Sequence, residues 1–360
     1  MRLAILPAAI IAALAACTSG ATPGGGDVLV IGAFTAPREA LERAVIPAFR
    51  AHLRATTGRD VAVRASYLGS GAQARAVMQG FEADVVLLAL AGDVDRIARA
   101  GLLAPDWRER GGGIIARTLV VIATRPGNPL GLADFADLAR PDLELLAPNP
   151  ATSGGAMWNV LAVHGAACLD SGLDSGLDSG LDSGLDSGRP RCDAPAAFAR
   201  GSDLLRRVFA RVIVMDKGAR ESIISFERGI GDAAITYEQE VLVARAAGRH
   251  YDYVIPPRTI VVELPVAVVD AHVDQRGTRA LAEAFVAFLA APAGQRALAE
   301  YGFRPATGPL AVVTDARFAP LDGITTFRVD AYGGWDTVAR DLLGKDGTLA
   351  RVLDHAASPQ

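Results

Sequence analysis

The amino-acid sequence predicts an α/β protein whose chain is shared between two lobes. Three observations lead there. Apolar runs rich in Val, Ile and Leu alternate with amphipathic helical patterns, the order that builds mainly parallel sheets covered by helices. Roughly 330 residues follow the N-terminal leader, more than one compact core usually holds. Past that leader no apolar run approaches the ~20 residues needed to span a bilayer, so a soluble body is expected.

The elements follow in order. Residues 27–34 (DVLVIGAF) read as the first strand and 37–56 as a helix, with Pro37 where a missing N–H costs nothing. A strand over 61–67 leads through Gly69-Ser70-Gly71 into a helix that ends near Gly80. Residues 83–90 (ADVVLLAL) form the continuous apolar run of a strand covered on both faces. The run 118–124 (TLVVIAT) is another, and the loop Arg125-Pro126-Gly127-Asn128-Pro129 after it suits a passage between lobes. Then come a strand at 143–147, a helix at 154–164, a strand at 212–215, a helix at 222–228 and a strand at 232–237. A returning strand at 264–269, helices at 279–289 and 293–301 and a last exposed helix at 336–343 complete the order. On this reading residues 28–117 plus 262–350 form one lobe and 118–261 the other.

The leader has the layout of an export signal: basic Arg2, an apolar run over 3–16 too short to span, then Cys17. The string Leu14-Ala15-Ala16-Cys17 is similar to the lipobox of bacterial lipoproteins, where cleavage precedes a lipidated cysteine. Residues 1–17 are therefore expected to be a lipoprotein signal peptide, with Cys17 as a membrane anchor. Residues 18–27, rich in Gly, Ser, Thr, Pro and Ala, have little to bury and read as a flexible tether.

Within the second lobe, residues 168–192 hold a low-complexity insertion, Leu-Asp-Ser-Gly repeated five times over 169–188. Its four-residue period is too short for a solenoid, and a solvated surface loop is expected. Cys168 and Cys192 bracket it and are disulfide candidates in an oxidising compartment, worth roughly 3 kcal/mol in the chain-entropy model. The five aspartates of the repeat account for the net charge of −4, which therefore says little about a ligand's sign. No cluster of basic residues suggests nucleic acid. The histidines at 52, 164, 250, 272 and 355 sit in no acid, base or metal pattern, and there is no Gly-x-Ser-x-Gly elbow. The sequence thus points away from an enzyme and to no metal or cofactor.

Three turns share one chemistry, Gly and Ser where a strand gives way to a helix: Gly69-Ser70-Gly71, Thr152-Ser153-Gly154-Gly155 and Gly218-Ala219-Arg220. The first N–H groups of a helix have no intrahelical partner, and its dipole favours an anion there. Glycine lets a ligand approach the backbone, and serine adds a neutral donor.

Six strings carry a resemblance: residues 69–75 (GSGAQAR), 82–86 (EADVV), 148–159 (PNPATSGGAMWN), 227–232 (ERGIGD), 265–270 (PVAVVD) and 333–335 (GGW). In this order they resemble the periplasmic sulfate-binding proteins, from about residue 28 to the end except for the repeat. The resemblance implies a type II periplasmic binding-protein fold, two α/β lobes with the ligand in the cleft between them. It implies a monomer that delivers sulfate to the permease and ATPase of an ABC importer. Carried over, the ligand donors fall on Ser70, Ser153, Gly154, Gly155 and Ala219, mostly through backbone N–H groups. Thr35 stands where the family has Asp and can still offer its N–H. Tyr237 stands where the family has a Trp directed at the ligand, and its hydroxyl can donate. Arg220 is expected to support the third turn from behind.

A site made only of donors suits sulfate, whose oxygens all accept, whereas a protonated phosphate needs an acceptor. Thiosulfate, molybdate and phosphate are the alternative oxyanions; a surface lipoprotein without a ligand and a hydrolase using Ser70 or Ser153 are the alternative classes.

Overall fold

The computed structural model describes residues 28–109, 113–169, 191–192, 194–307 and 315–357. Cys17, the tether and the repeat beyond Leu169 lie outside these residues. The strands are β1 (Val28–Phe34), β2 (Ala62–Leu68), β3 (Val85–Leu87), β4 (Gly113–Thr124), β5 (Leu145–Pro148), β6 (Val212–Asp216), β7 (Ala233–Tyr237), β8 (Asp252–Val254), β9 (Arg258–Val268), β10 (Arg304–Pro305) and β11 (Thr325–Phe327). The longer α-helices are α1 (Ile46–Thr57), α2 (Ser70–Met78), α3 (Ala91–Arg99), α4 (Gly154–Cys168), α5 (Pro195–Phe209), α6 (Ala219–Glu227), α7 (Glu238–Ala246), α8 (Asp270–Arg276), α9 (Arg279–Ala290), α10 (Pro292–Ala299) and α11 (Thr348–Ala357).

Strand order along the sheet path is β2-β1-β3-β9-β4-β7-β5-β6. β1 pairs in parallel with β2 and β3, and β5 in parallel with β6 and β7, so each half has a parallel centre. β4 joins the halves. Its residues from Gly113 to Leu119 pair with β9, and from Val120 to Thr124 with β7. The passage between halves therefore lies inside this strand. The Arg125 loop is already beyond it: the Arg125 guanidinium donates to the carbonyls of Phe226 and Gly231, at the end of α6. A twelve-residue strand, buried over most of its length, is a stiffer crossing than a Pro/Gly loop.

Burial follows sequence pattern. Leu29, Ile31 and Ala33 of β1 are fully buried, and Phe49 of α1 packs edge-on against Phe285 of α9 at 5.1 Å. α1 is the continuation of a helix that begins at Arg38–Ala40 and passes through a π-helical turn at Leu41–Val45; it ends at Gly58, whose φ of 70° only glycine adopts readily.

The structure departs from the sequence reading in the elements as well. The strand over 83–90 shortens to β3, because α3 begins at Ala91 and takes up the chain. Helices α3, α5, α7 and α8 are not foreseen: α3 presents only Val94 and Ile97 as large buried apolar residues, the buried stripe of α5 begins with Ala197 and Gly201, which blunt its period, α7 buries Glu238, Gln239 and Glu240, and α8 is only seven residues long. The segment over 336–343 is a short helix, Trp335–Thr337, followed by a π turn at Val338–Leu342, and α11 comes after it.

Candidate functional site

Each of the three Gly/Ser turns stands at a helix start. Gly69 is the extended N-cap of α2, and Ser70 lies buried in its first turn. The Ser70 hydroxyl donates to Asp93 Oδ2 at 2.5 Å and accepts from the Ala89 N–H at 3.0 Å, so this side chain pins the turn to α3. Burial pushes the Asp93 carboxyl up, while Ser70 and the neighbouring Arg96 and Arg75 draw it down. Ser153 caps α4, its Oγ accepting from the Ala156 N–H at 3.2 Å, and the preceding turn is closed by Asn149, whose Oδ1 accepts from the Ala151 N–H at 2.8 Å. Gly218 precedes α6, which opens on buried Ala219. At the end of β1, half-buried Thr35 accepts from the Arg38 N–H at 3.1 Å and starts the next helix.

These turns meet. A Cβ on Gly69 would lie 2.5 Å from the Thr152 carbonyl oxygen, and one on Gly154 would lie 2.7 Å from the Ser70 Cβ. Both positions must be glycine for the first and second turns to touch. Thr152 Oγ1 donates to the Lys217 carbonyl at 2.8 Å, tying the second turn to the third. Arg220, beside the third turn, donates to Glu39 Oε1 at 2.7 Å and to Glu240 Oε2 at 2.9 Å, returning to the helix after Thr35. Trp158 of α4 adds a further tie, its indole N–H reaching the Ala89 carbonyl at 2.8 Å. The result is a ring of contacts that brings the starts of α2, α4 and α6 together.

The charges of the ring are paired within the protein. Arg220 is partly buried, which lowers its pKa, but Glu240 and then Glu39 more than reverse this and hold it charged. Glu240 is buried, and the loss of water pushes its carboxyl up to about 7 even with Arg220 beside it. Tyr237, at the end of β7, donates its hydroxyl to the Gly155 carbonyl at 2.9 Å, so in this structure that proton supports the second turn. Just after it, Glu238 and Arg304 form a fully buried two-pronged pair, 2.7 and 2.8 Å, that fixes the start of α7.

Sequence reasoning thus brings Ser70, Ser153, Gly154, Gly155, Ala219, Arg220, Thr35 and Tyr237 to one region. It misses Glu39, Asp93, Glu240 and Trp158, the residues that lock the turns. Glu39 and Glu240 carried no signal, because their partner Arg220 lies 181 residues from one and 20 from the other. Away from the cleft, Cys168 and Cys192 are joined in a disulfide, beside the buried His164. Burial drives the His164 imidazole down to about 4.

Comparison with known proteins agrees with this architecture. The model of the family described as bacterial extracellular solute-binding protein matches residues 29–304. The sulfate-binding protein of Synechococcus elongatus is 36% identical over 99% of this chain and 97% of its own length. That of Salmonella typhimurium is 35% identical over 91% of this chain and 93% of its own length. Among solved structures, the sulfate-binding protein SubI from Mycobacterium tuberculosis superposes with a TM-score of 0.70 at 29% identity, covering 86% of this chain and 97% of that one. A two-lobed α/β fold, a ring of helix starts at its cleft and full-length similarity to these relatives together place the chain: it belongs to the bacterial extracellular solute-binding proteins, and among them to the sulfate-binding protein family.

Proposed function

We propose that the protein captures sulfate in the cleft ringed by α2, α4 and α6 and delivers it to the permease and ATPase of an ABC importer, without chemical conversion. The observation that carries this is the ring itself, three helix starts tied together by Gly69–Thr152, Thr152–Lys217 and Arg220–Glu39 contacts. In this reading the N–H groups at Ser70, Gly154, Gly155 and Ala219, the Ser153 hydroxyl and the Thr35 N–H are the donors. The two lobes are residues 28–117 with 262–350, and 118–261, and closing them over the anion removes water so that the peptide dipoles act strongly. A protonated oxyanion would leave its O–H facing donors, at a cost of several kcal/mol. Export and a lipid anchor at Cys17 belong to the same proposal, as does action as a monomer.

Thiosulfate is the second reading. It is favoured by Tyr237, which turns its hydroxyl to Gly155 and contributes no donor to the cleft at that position. Isothermal titration of the mature protein with sulfate, thiosulfate, molybdate and phosphate separates these. Sulfate is expected to bind tightest and phosphate least. Thiosulfate in first place would move the assignment to the second reading, and heat with none of the four would end the transport reading.

A further inference from the structure

The far end of α4 carries a second cluster that the cleft does not use. His164 and Cys168 stand four residues apart on this helix and so project from one face. Cys192 meets them there. All three side chains are buried, and one ligand atom from each, a ring nitrogen and two Sγ, lie within 4.8 Å of one another. Two cysteines and a histidine are a zinc ligand set, and around a tetrahedral ion such atoms sit about 3.5–3.8 Å apart. Once the two sulfurs, bonded to each other here, have parted, the three atoms are already near such a spacing.

The surroundings hold the imidazole in place. Its two ring nitrogens lie 3.2 Å from Tyr332 Oη and 3.4 Å from Ser202 Oγ, so the nitrogen that takes the ion gives up its contact while the other keeps its own, and Phe198 packs edge-on at 4.6 Å. Gly201 of α5 makes the space, since a Cβ there would meet the ring at 2.6 Å. The contact that is kept orients the metal-bound ring. A cavity of about 640 Å³, whose walls include Cys192, Phe198, Tyr332 and Thr337, lies beside the buried pair.

We propose that Cys168, Cys192 and His164 form a redox-gated site for a zinc-like divalent ion. With the cysteines joined, the pair is a staple across the base of the insertion and offers no thiolate. A small dithiol entering by the cavity attacks one sulfur; the S–S bond breaks, two electrons pass to the pair, and the reductant leaves as its own disulfide while both cysteines gain protons. The ion then binds the two sulfurs and the His164 nitrogen and displaces those two protons, with the fourth position open to water.

The test uses the untagged mature chain, as purified and after reduction by a dithiol that is then removed without air, titrated with Co²⁺ and back-titrated with Zn²⁺. Thiolate-to-cobalt charge-transfer absorption is expected only after reduction, at one Co²⁺ per chain, and Zn²⁺ should abolish it. His164→Gln should weaken Co²⁺ binding at least tenfold, and Cys168→Ser should remove the absorption. The site is refuted if the reduced chain shows no charge-transfer band, or if His164→Gln binds as tightly as the parent. The comparison of oxidised with reduced parent chain needs no substitution, so a variant that fails to fold does not spare the proposal.

Discussion

Ser70 and Ser153 occupy like places at two helix starts, yet their hydroxyls differ in what they have left to give. Ser70 donates its proton to Asp93, whereas Ser153 is engaged as an acceptor from Ala156, which leaves its proton for the anion of the proposed function. Ser153→Ala removes a helix cap and, in the proposed function, an anion donor, and sulfate binding should weaken about tenfold or more, as a loss of ~1–2 kcal/mol implies. Tyr237→Phe removes only the support under Gly155, so its cost should fall mainly on stability, about 1 kcal/mol, with a smaller loss of affinity. Titration calorimetry and urea unfolding of both variants check this, and a larger loss of affinity in Tyr237→Phe would return the tyrosine to the ligand's contacts. Both serines were legible, because Gly and Ser at a strand-to-helix turn have a physical reason to be there. What their hydroxyls bind was not, since Asp93 lies 23 residues from Ser70 with no local pattern linking them.

The elements that place these residues were mostly readable where apolar runs are long. β1, β7 and the start of α4 lie within a residue or so of expectation, since each begins at a turn signal and is buried almost throughout. α3, α5 and α7 escaped because small or polar residues interrupt their buried stripes. The meeting of α2 with α4 also depends on long-range geometry, and it rests on glycine. With a Cβ on Gly154 placed 2.7 Å from that of Ser70, Gly154→Ala should hold the two turns apart. An opened cleft relieves the clash, so the ligand-free thermal midpoint should move by only a few degrees. Sulfate affinity should fall more than tenfold. A variant that binds normally would mean that the two helix starts do not close on the ligand together.

Across the whole molecule, charge as well as fit ties distant parts of the chain, because Arg220 reaches Glu39 while its other arm engages Glu240. That second partner makes stability depend on pH. An exposed glutamate ionises near 4.5, but Glu240 in the fold ionises near 7, since burial opposes its charge more than Arg220 favours it. Between these two values the folded chain holds a proton that the unfolded chain has lost. The stability contributed by neutral Glu240 is therefore whole below about pH 4.5 and is lost as pH rises through 7, by about 3 kcal/mol in all. Glu240→Gln keeps the neutral shape at every pH. Urea unfolding at pH 5 and pH 8 should show the parent losing most of that 3 kcal/mol relative to the variant, while carboxyls present in both, such as Asp93 and Glu263, cancel in the difference. If the gap between parent and variant is the same at both values, Glu240 is ionised throughout, and the Arg220 bridge outweighs the burial of its partner.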